Sequence, residues 1–327
     1  MARPDPPPSD HPPPLQPQVV LGAVTTGLLN TSAPLPLDAA RQVLALVPGV
    51  KADWRRHPID QVISPDLFFG LDCRLAVHSG AQPRIIGTAR ARALLTAGHA
   101  LQGSARVDVV LDASRRRLSW SHYMARTGVV EAINKADPAD IVAGFLAGWP
   151  GKSALDLGNT SAYVMSLLDE APQIDRQAPL KAQTHRLLWA AHVNEDVEPG
   201  AQIEAGDDGV FRVRISTPPA QLPHFVEFCE ILALHDWLLN ALRNAYDRSN
   251  RKGRRGNDGE LGPALSYLGH VWNPNAHLPR ELQWLWDALE REAQLSWAWQ
   301  AALTRVRDKV SLLTQKAIEE TLHKEVL

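Results

Sequence analysis

The sequence predicts an α+β protein in which a region of short strands and helices is followed by a helical region. Segments from Val19 to Ser216 alternate between the two-residue period of strands and the 3.6-residue period of helices. Long amphipathic segments then replace the strands as far as Leu327. Six of the ten tryptophans lie between Trp237 and Trp299, and side chains of this size indicate a packed helical core.

These patterns divide the chain into three parts. Residues 1–18 are rich in proline, which favours extended conformations, and we expect a flexible arm there. A solvated tail is the simpler interpretation of this arm, and a proline-rich ligand for a partner is the alternative. Residues 19–217 form the predicted α+β domain and residues 218–327 the predicted helical domain, with the boundary at the segment STPPAQLP.

Composition narrows the classes of protein to consider. A chain of 327 residues with 45% hydrophobic content can bury a large core. Its 34 basic and 36 acidic side chains give no strong overall field for nucleic acid or anionic lipid. Cys73 and Cys229 lie far apart in a chain that needs no disulfide, so we expect a reducing cytoplasm. No apolar run is long enough for a membrane span, so we expect no membrane association.

The first elements follow from local patterns. VVLGAVTTGLL is predicted to be a strand, and PLDAARQVLALVPG a helix that begins near Pro36 and ends near Gly49. GLDCRLAV has the alternation of a half-buried strand. The long segment from 83 to 112 is predicted to form a hairpin around TAGHALQG.

Capping residues and periodicity define the later elements. Asp137 can cap a helix over ADPADIVAGFLAGW, with Pro138 at its first position. TSAYVMSLLDEAP is a further helix, and HRLLWAAHV and VFRVRIS are strands on either side of the turn signal GDDG. The helical region is predicted to contain helices over residues 222–248, 261–272, 279–292 and 295–323.

The stretch FVEFCEILALHDWLLNALRNAYD, residues 225–247, places potential metal ligands within an apolar run. At 100° per residue, Cys229 and His235 point about 120° apart on one helix, so they cannot share an ion. Asp236 also points away from His235 and cannot orient it as a base. We therefore interpret this stretch as a helix core with a histidine bonded to a buried acceptor on another segment.

Several residues in the 73–122 region have the side chains that hydrolases use. Cys73 shares the apolar register of its strand, which predicts an inert buried thiol. Ser104, Ser121, His99 and His122 lie within the same region, but no G-x-S-x-G nucleophile elbow surrounds either serine. A cytosolic hydrolase with its nucleophile in this region is therefore an alternative hypothesis and not the preferred one.

Motifs for cofactors and metals are incomplete. Gly151, Lys152 and Ser153 are the closing letters of a phosphate-binding loop, but its first glycine and its preceding strand are missing. His270 and His277 have no second pair of ligands at metal spacing. We expect no cofactor and no metal.

Basic residues cluster in two short segments, 115–117 and 248–255. The 248–255 loop contains Arg248, Arg251, Lys252, Arg254 and Arg255, and nucleic-acid binding through it is a second alternative function. No aromatic residue lies between these arginines to stack on bases, so we expect a solvated loop and consider nucleic acid an improbable partner. Strand faces that carry Arg90 and Arg92, or Arg212 and Arg214, could equally bind an acidic partner.

The last predicted helix has the spacing of a helix seam. Apolar residues recur at intervals of 4, 3, 4, 3 and 4 at Trp299, Leu303, Val306, Val310, Leu313 and Ala317. Fewer than three heptads are short for an independent coiled coil. The seam therefore packs within the protein or docks on another chain, either a partner protein or a second copy in a homo-oligomer.

Six segments of the sequence together show a resemblance to a protein family. VVLGAVTTGLLNTSAPLP, ALLTAGHALQGSARVDVV, WSHYMARTGVVEAI, FCEILALHDWLL, VWNPNAHLPRELQWLWDALER and VRDKV together resemble an uncharacterised actinobacterial protein family. Members of that family are encoded in a conserved neighbourhood with a variant P-loop protein. The resemblance implies a component of a multi-protein system, with that P-loop protein as one partner, and it carries over no catalytic residue.

The preferred functional hypothesis is a non-enzymatic interaction or adaptor component. It rests on the absence of a coherent catalytic constellation in the sequence and on the apolar seam from Trp299 to Ala317. The hydrolase and the nucleic-acid-binding protein remain the two alternatives.

Overall fold

The structure is a computed structural model that describes residues 17–56, 58–77, 79, 83–111, 117–133, 136–148, 153–206, 209–251, 258–275 and 278–325. Most of the predicted proline-rich arm, residues 1–16, lies outside the described residues. Parts of both predicted basic segments, residues 115–116 and 252–255, also lie outside them.

The described residues contain a single mixed sheet. Its strands are β1 (Val19–Leu28), β2 (Asp53–Arg55), β3 (Gln61–Ile63), β4 (Leu67–Arg74), β5 (Arg84–Thr96), β6 (Ala100–Val110), β7 (Val129–Ile133), β8 (His185–Val193), β9 (Gly200–Ala205) and β10 (Phe211–Thr217). β1 pairs antiparallel with β6 on one side and with β8 on the other. β10 follows β8 in parallel, and β9 forms the edge.

The helices lie between the strands and after them. They are α1 (Leu37–Val43), α2 (Trp120–Met124), α3 (Pro138–Leu146), α4 (Leu157–Asp169), α5 (Leu222–Arg251), α6 (Leu261–Leu268), α7 (Gln283–Ala293) and α8 (Leu295–Glu325). None of the helices in the described part of the chain combines the length and apolar character that a bilayer span requires.

Two hydrophobic cores lie on opposite faces of the sheet. One core joins the sheet to α1, α3 and α4, with Leu21 and Val107 among its strand residues. The other joins it to α5, α6, α7 and α8, with Val24, Trp189 and Phe225 among its members. The protein is therefore α+β, as the sequence predicts, and its C-terminal region is helical.

The predicted domain boundary at residue 217 lies between β10 and α5. The second core crosses this boundary, because apolar residues of β1, β8 and β10 pack against α5. The division of the chain into two domains stays a prediction.

Local sequence explains the elements that were predicted. The Asp137 carboxylate accepts hydrogen bonds from the amides of Ala139 and Asp140 and so caps α3. β5 and β6 form the expected antiparallel hairpin, whose turn places Ala97 and Gly98 at positive φ. β1 is buried along nearly all its length because the sheet covers both its edges and a core covers each face.

Other elements differ from the prediction. α1 ends at Val43, about a turn and a half before Gly49, and Pro48 has no amide hydrogen to bond the carbonyl of Leu44, which disfavours a further helical turn. β7 inserts between the first residues of β5 and the last residues of β6, and periodicity had given it no element. β8 and β10 pair in parallel, while the hairpin partner of β10 is β9, which was also not predicted.

A glycine fixes the distance between α4 and the sheet. A β-carbon added to Gly103 on β6 would lie 2.0 Å from the carbonyl oxygen of Ser161 on α4. Because this neighbour is backbone, relief requires that α4 move away from the sheet and open the first core.

We predict that Gly103→Ala lowers the free energy of unfolding by about 1–3 kcal/mol through overpacking. Gly200→Ala is the matched control, since a β-carbon at Gly200 would have no neighbour within 4 Å. Urea unfolding of both variants measures the difference. Equal stability of the two variants would show that α4 does not approach the sheet as described.

Candidate functional site

Residues 225–247, which contain the potential metal ligands noted in the sequence, lie in α5, and their apolar side chains belong to the second core. Cys229 is fully buried, and His235 packs against the rings of Trp272 and Trp286. The His235 Nδ1–H donates to the carbonyl of Ile231 in the same helix at 2.7 Å, whereas we expected an acceptor on another segment. The described residues contain no group of three or more His, Cys, Asp or Glu side chains that could hold a metal ion.

Cys73 lies on β4, where its side chain is half-buried. Burial, with a smaller contribution from the Asp72 carboxylate, raises the pKa of its thiol to about 11. A thiol with this pKa is protonated at neutral pH and is a poor nucleophile.

His99 is a buried structural residue. Nδ1 lies 2.8 Å from the carbonyl oxygen of Ala97, and Nε2 lies 2.5 Å from that of Tyr267 at the end of α6. Burial lowers the pKa of this imidazole and outweighs the two carbonyls, which favour the protonated ring. The histidine therefore ties the β5–β6 turn to α6, and neither nitrogen faces a nucleophile.

His122 belongs to a charged cluster rather than to a catalytic pair. Its Nε2 lies 2.7 Å from Oε1 of the buried Glu131 on β7, and Arg126 Nη1 donates to the same oxygen at 2.6 Å. Ser121 has its hydroxyl 2.7 Å from that of Ser119. Both partners of Glu131 compensate its burial, so we assign this cluster to anchoring α2 on the sheet.

Ser104 lies on β6 in a small cleft with three arginines, and no histidine lines that cleft. Among the residues that the structure describes, no histidine nitrogen is hydrogen bonded to Cys73, Ser104 or Ser121. The side chains that the hydrolase hypothesis requires are therefore present but not assembled.

The predicted basic loop is described only in part. Arg248 pairs with Glu260 at 3.0 Å and donates to the carbonyl of Lys181, so it supports the end of α5. Lys252, Arg254 and Arg255 lie outside the described residues, as do Gly151 and Lys152 of the incomplete phosphate loop. In the other basic segment, Arg117 lies over Trp120 and 3.4 Å from Asp72.

The predicted seam on α8 divides into a buried and an outer part. Trp299, Leu303 and Val306 are buried in the second core, and Trp299 stacks on Trp272 with ring centroids 4.6 Å apart. These three residues are not accessible to a partner in this fold, which corrects that part of the predicted surface. Val310 and Leu313 are half-buried at the edge of the core, and Ala317 is exposed.

Beyond the core, the last turns of α8 project from the protein. From Ser311 to His323 every side chain is exposed except that of Leu313. Three large apolar side chains, Leu312, Ile318 and Leu322, are each more than half exposed. Isolated helices of this length are marginal in water, so packing against another surface would stabilise this projection.

A groove between α5 and α8 lies beside the buried part of the seam, and we call it the terminal groove. It encloses about 240 Å³. Ala298, Ala301 and Ala302 of α8 form its floor, and the Trp297 side chain, 70% exposed, forms one wall. Tyr246 of α5 lies in the opposite wall, with the Lys309 ammonium 5.7 Å from its ring.

Charged groups of the terminal groove have no partner within the described protein. Arg243 and Asp247 of α5 and Arg305 of α8 line it, and none of them forms an ion pair with another described residue. Lys309 donates to Asn250 at 2.6 Å and links the two helices at one end of the groove. The groove thus combines an apolar floor, an exposed tryptophan and a small excess of positive charge.

The apolar spacing of α8 does not identify the residues of this groove. That spacing includes Trp299 and defines the face of α8 that is turned into the core. Trp297 lies two residues earlier on a different face of α8, and its exposure, which only the folded structure shows, is what identifies it.

We predict that Cys73 and Cys229 react slowly with a thiol reagent in the folded protein at pH 8. A pKa near 11 in place of the ordinary 9.0 lowers the thiolate fraction of Cys73 roughly 100-fold, and Cys229 is fully buried. Labelling should accelerate as the pH rises towards 11 and become complete in denaturant. Rapid labelling of Cys73 at pH 7 would contradict the inert thiol and revive the hydrolase hypothesis.

Comparison with known proteins gives no guide to the function of this chain. No family model, curated protein or solved structure matches it. In the described residues, the terminal groove and the adjoining projection of α8 carry exposed apolar and unpaired charged groups.

Proposed function

We propose that the protein is a non-enzymatic interaction component that binds a partner protein in the terminal groove. The observation that carries this proposal is the groove itself, where the exposed Trp297 and the unpaired Arg243 and Arg305 surround an alanine floor. Tryptophan, tyrosine and arginine are the residues that most often dominate the energy of protein interfaces.

The partner that fits this groove is an acidic amphipathic segment of another protein. Small apolar side chains of such a segment can pack on Ala298, Ala301 and Ala302, because the alanine side chains are small and leave space above them. Its carboxylates can pair with Arg243 and Arg305, which outnumber the single Asp247. The projecting turns of α8, with Leu312 and Ile318 exposed, extend the same surface.

The two alternative functions receive less support. In the described residues no histidine nitrogen is hydrogen bonded to Cys73, Ser104 or Ser121, so the hydrolase hypothesis has no base positioned to activate a nucleophile. For nucleic-acid binding, Arg248 already pairs with Glu260, and the rest of the basic loop lies outside the described residues. The resemblance to the actinobacterial family makes its variant P-loop protein the first partner to test, in the cytoplasm.

The test uses tagged full-length protein to isolate a stoichiometric partner from the native host, followed by calorimetry with the purified partner. We predict that Trp297→Ala weakens binding by about 2 kcal/mol or more and that Arg305→Glu does the same by placing like charges together. The affinity of the unaltered protein should also fall as salt is added.

Trp284→Ala is the matched control, because Trp284 is another exposed tryptophan of the helical region, on α7, and does not line the groove. The affinity of Trp284→Ala for the partner should stay within about twofold of that of the unaltered protein. Unchanged affinity in both groove variants, with circular dichroism showing that they are folded, would refute the groove as the docking surface. Sedimentation that shows only a dimer of this chain would refute a partner protein as the occupant.

A further inference from the structure

A second site lies on the sheet, on the face that carries α5. Arg90 and Arg92 of β5 and Arg106 of β6 line one small cleft, and strand register places Arg90 directly opposite Arg106. Ser104 and Asp66 also line it. Like charges opposite each other on neighbouring strands are destabilising, so this pair of arginines lowers the free energy of unfolding. We call this site the arginine cleft.

Two of the arginines have an acidic neighbour, with different geometry. Glu230 of α5 accepts hydrogen bonds from Nε and Nη2 of Arg92 at 2.8–3.1 Å, so this edge of the guanidinium is committed to Glu230. Arg90 Nε lies 3.5 Å from Asp66 Oδ2, and the nitrogen is buried without a hydrogen-bond acceptor among the described residues. Arg90 therefore keeps a donor that the protein does not use.

Arg106 has no ion pair with any residue that the structure describes. The Oδ1 atom of Asp108, two residues further along the same face of β6, is likewise buried without a hydrogen-bond partner there. Burial lowers the pKa of Arg106 and raises the pKa of Asp108, because each group leaves water without full compensation. A partly buried guanidinium without an ion pair can bind an anion from outside the chain.

The volume of the arginine cleft limits the size of the anion that it can bind. Its volume of about 50 Å³ is roughly three to five times what one water needs. It admits a single oxyanion group but not a nucleoside or a peptide side chain with its backbone. Donors reach it from Arg90, Ser104 and Arg106 on two strands, which suits a tetrahedral group, whereas one arginine fork satisfies a planar carboxylate.

We propose that the arginine cleft binds a phosphoryl group. Arg106 supplies the main charge-assisted hydrogen bonds, and the Arg90 guanidinium and the Ser104 hydroxyl, which also line the cleft, complete the set of donors. Arg92 is neutralised by Glu230, and their ion pair keeps α5 at the rim of the cleft. The rest of the phosphate-bearing molecule lies outside the cleft. This site is separate from the terminal groove, so either proposal can fail without the other.

Inorganic phosphate is the probe for this proposal. Thermal unfolding and calorimetry of the full chain are measured with phosphate and with acetate at equal ionic strength and pH. We expect phosphate, but not acetate, to raise the melting temperature of the unaltered protein. Arg106→Gln should weaken phosphate binding roughly tenfold or more, the loss of a charge-assisted hydrogen bond. Arg214→Gln, which removes an exposed strand arginine, should respond like the unaltered protein.

A second readout separates a binding role from a structural one. Without phosphate, Arg106→Gln should melt at or slightly below the unaltered protein, because it removes a charge that Asp108 and Asp66 compensate only in part. Arg106→Lys keeps the charge but loses the forked pair of guanidinium donors. Its phosphate affinity should lie between that of the unaltered protein and that of Arg106→Gln. Equal stabilisation by acetate and phosphate, or full phosphate affinity in folded Arg106→Gln and Arg106→Lys, would overturn the proposal.

The source of the phosphoryl group is tested with phosphoserine and adenosine monophosphate. Tighter binding of either compound than of inorganic phosphate, lost in Arg106→Gln, would support the cleft and identify a phosphorylated side chain or a nucleotide as the source. Equal binding of all three, again lost in Arg106→Gln, would support the free ion as the ligand. Binding that survives Arg106→Gln for every compound would overturn the site.

Discussion

The packing of α5 across one face of the sheet is the constraint on which the rest of the structure depends. Phe225, Phe228 and Leu232 of this helix join apolar residues of β1, β8 and β10 in one core. Polar bonds fix its position as well, since Gln102 Nε2 donates to the Glu230 carbonyl at 2.9 Å and Trp237 Nε1 donates to that of Gln183 at 2.9 Å. The other C-terminal helices then pack on α5, so their arrangement follows from its placement.

Both proposed sites take one wall from this helix. Val226, in the first turns of α5, borders the arginine cleft, and Arg243 to Asp247, near its other end, border the terminal groove. These positions are about 26 Å apart along the helix axis. The position of α5 on the sheet therefore decides the width of the cleft, and the packing of α8 on α5 decides the width of the groove.

The sequence predicts elements whose cause is local. Asp137 and Pro138 specify the start of α3, and apolar periodicity specifies α5 and α8, because these signals act within a few turns of the chain. It does not predict β7, whose pairing with β5 and β6 depends on residues far away in the chain. A five-residue strand has too little periodicity to be recognised alone.

The candidate sites were harder to predict than the elements. The groove joins residues 243–247 to residues 297–305, and no local pattern records that two helices leave a gap between them. Arg90 and Arg92 were recognised as a basic strand face, but the significance of Arg106 lies in the absence of a partner among the described residues. That property belongs to the folded arrangement of β5, β6 and α5, not to any segment of sequence.

Native-state hydrogen exchange tests most directly whether α5 and the sheet form one structural unit. The shared core predicts that amides of α5 between Phe225 and Leu242 exchange as slowly as those of β1 and β8 and require the same free energy of opening. All three elements should also respond equally to added denaturant. Exchange of α5 at a distinctly lower free energy than β1 and β8 would show that the helical region opens by itself and would contradict this account.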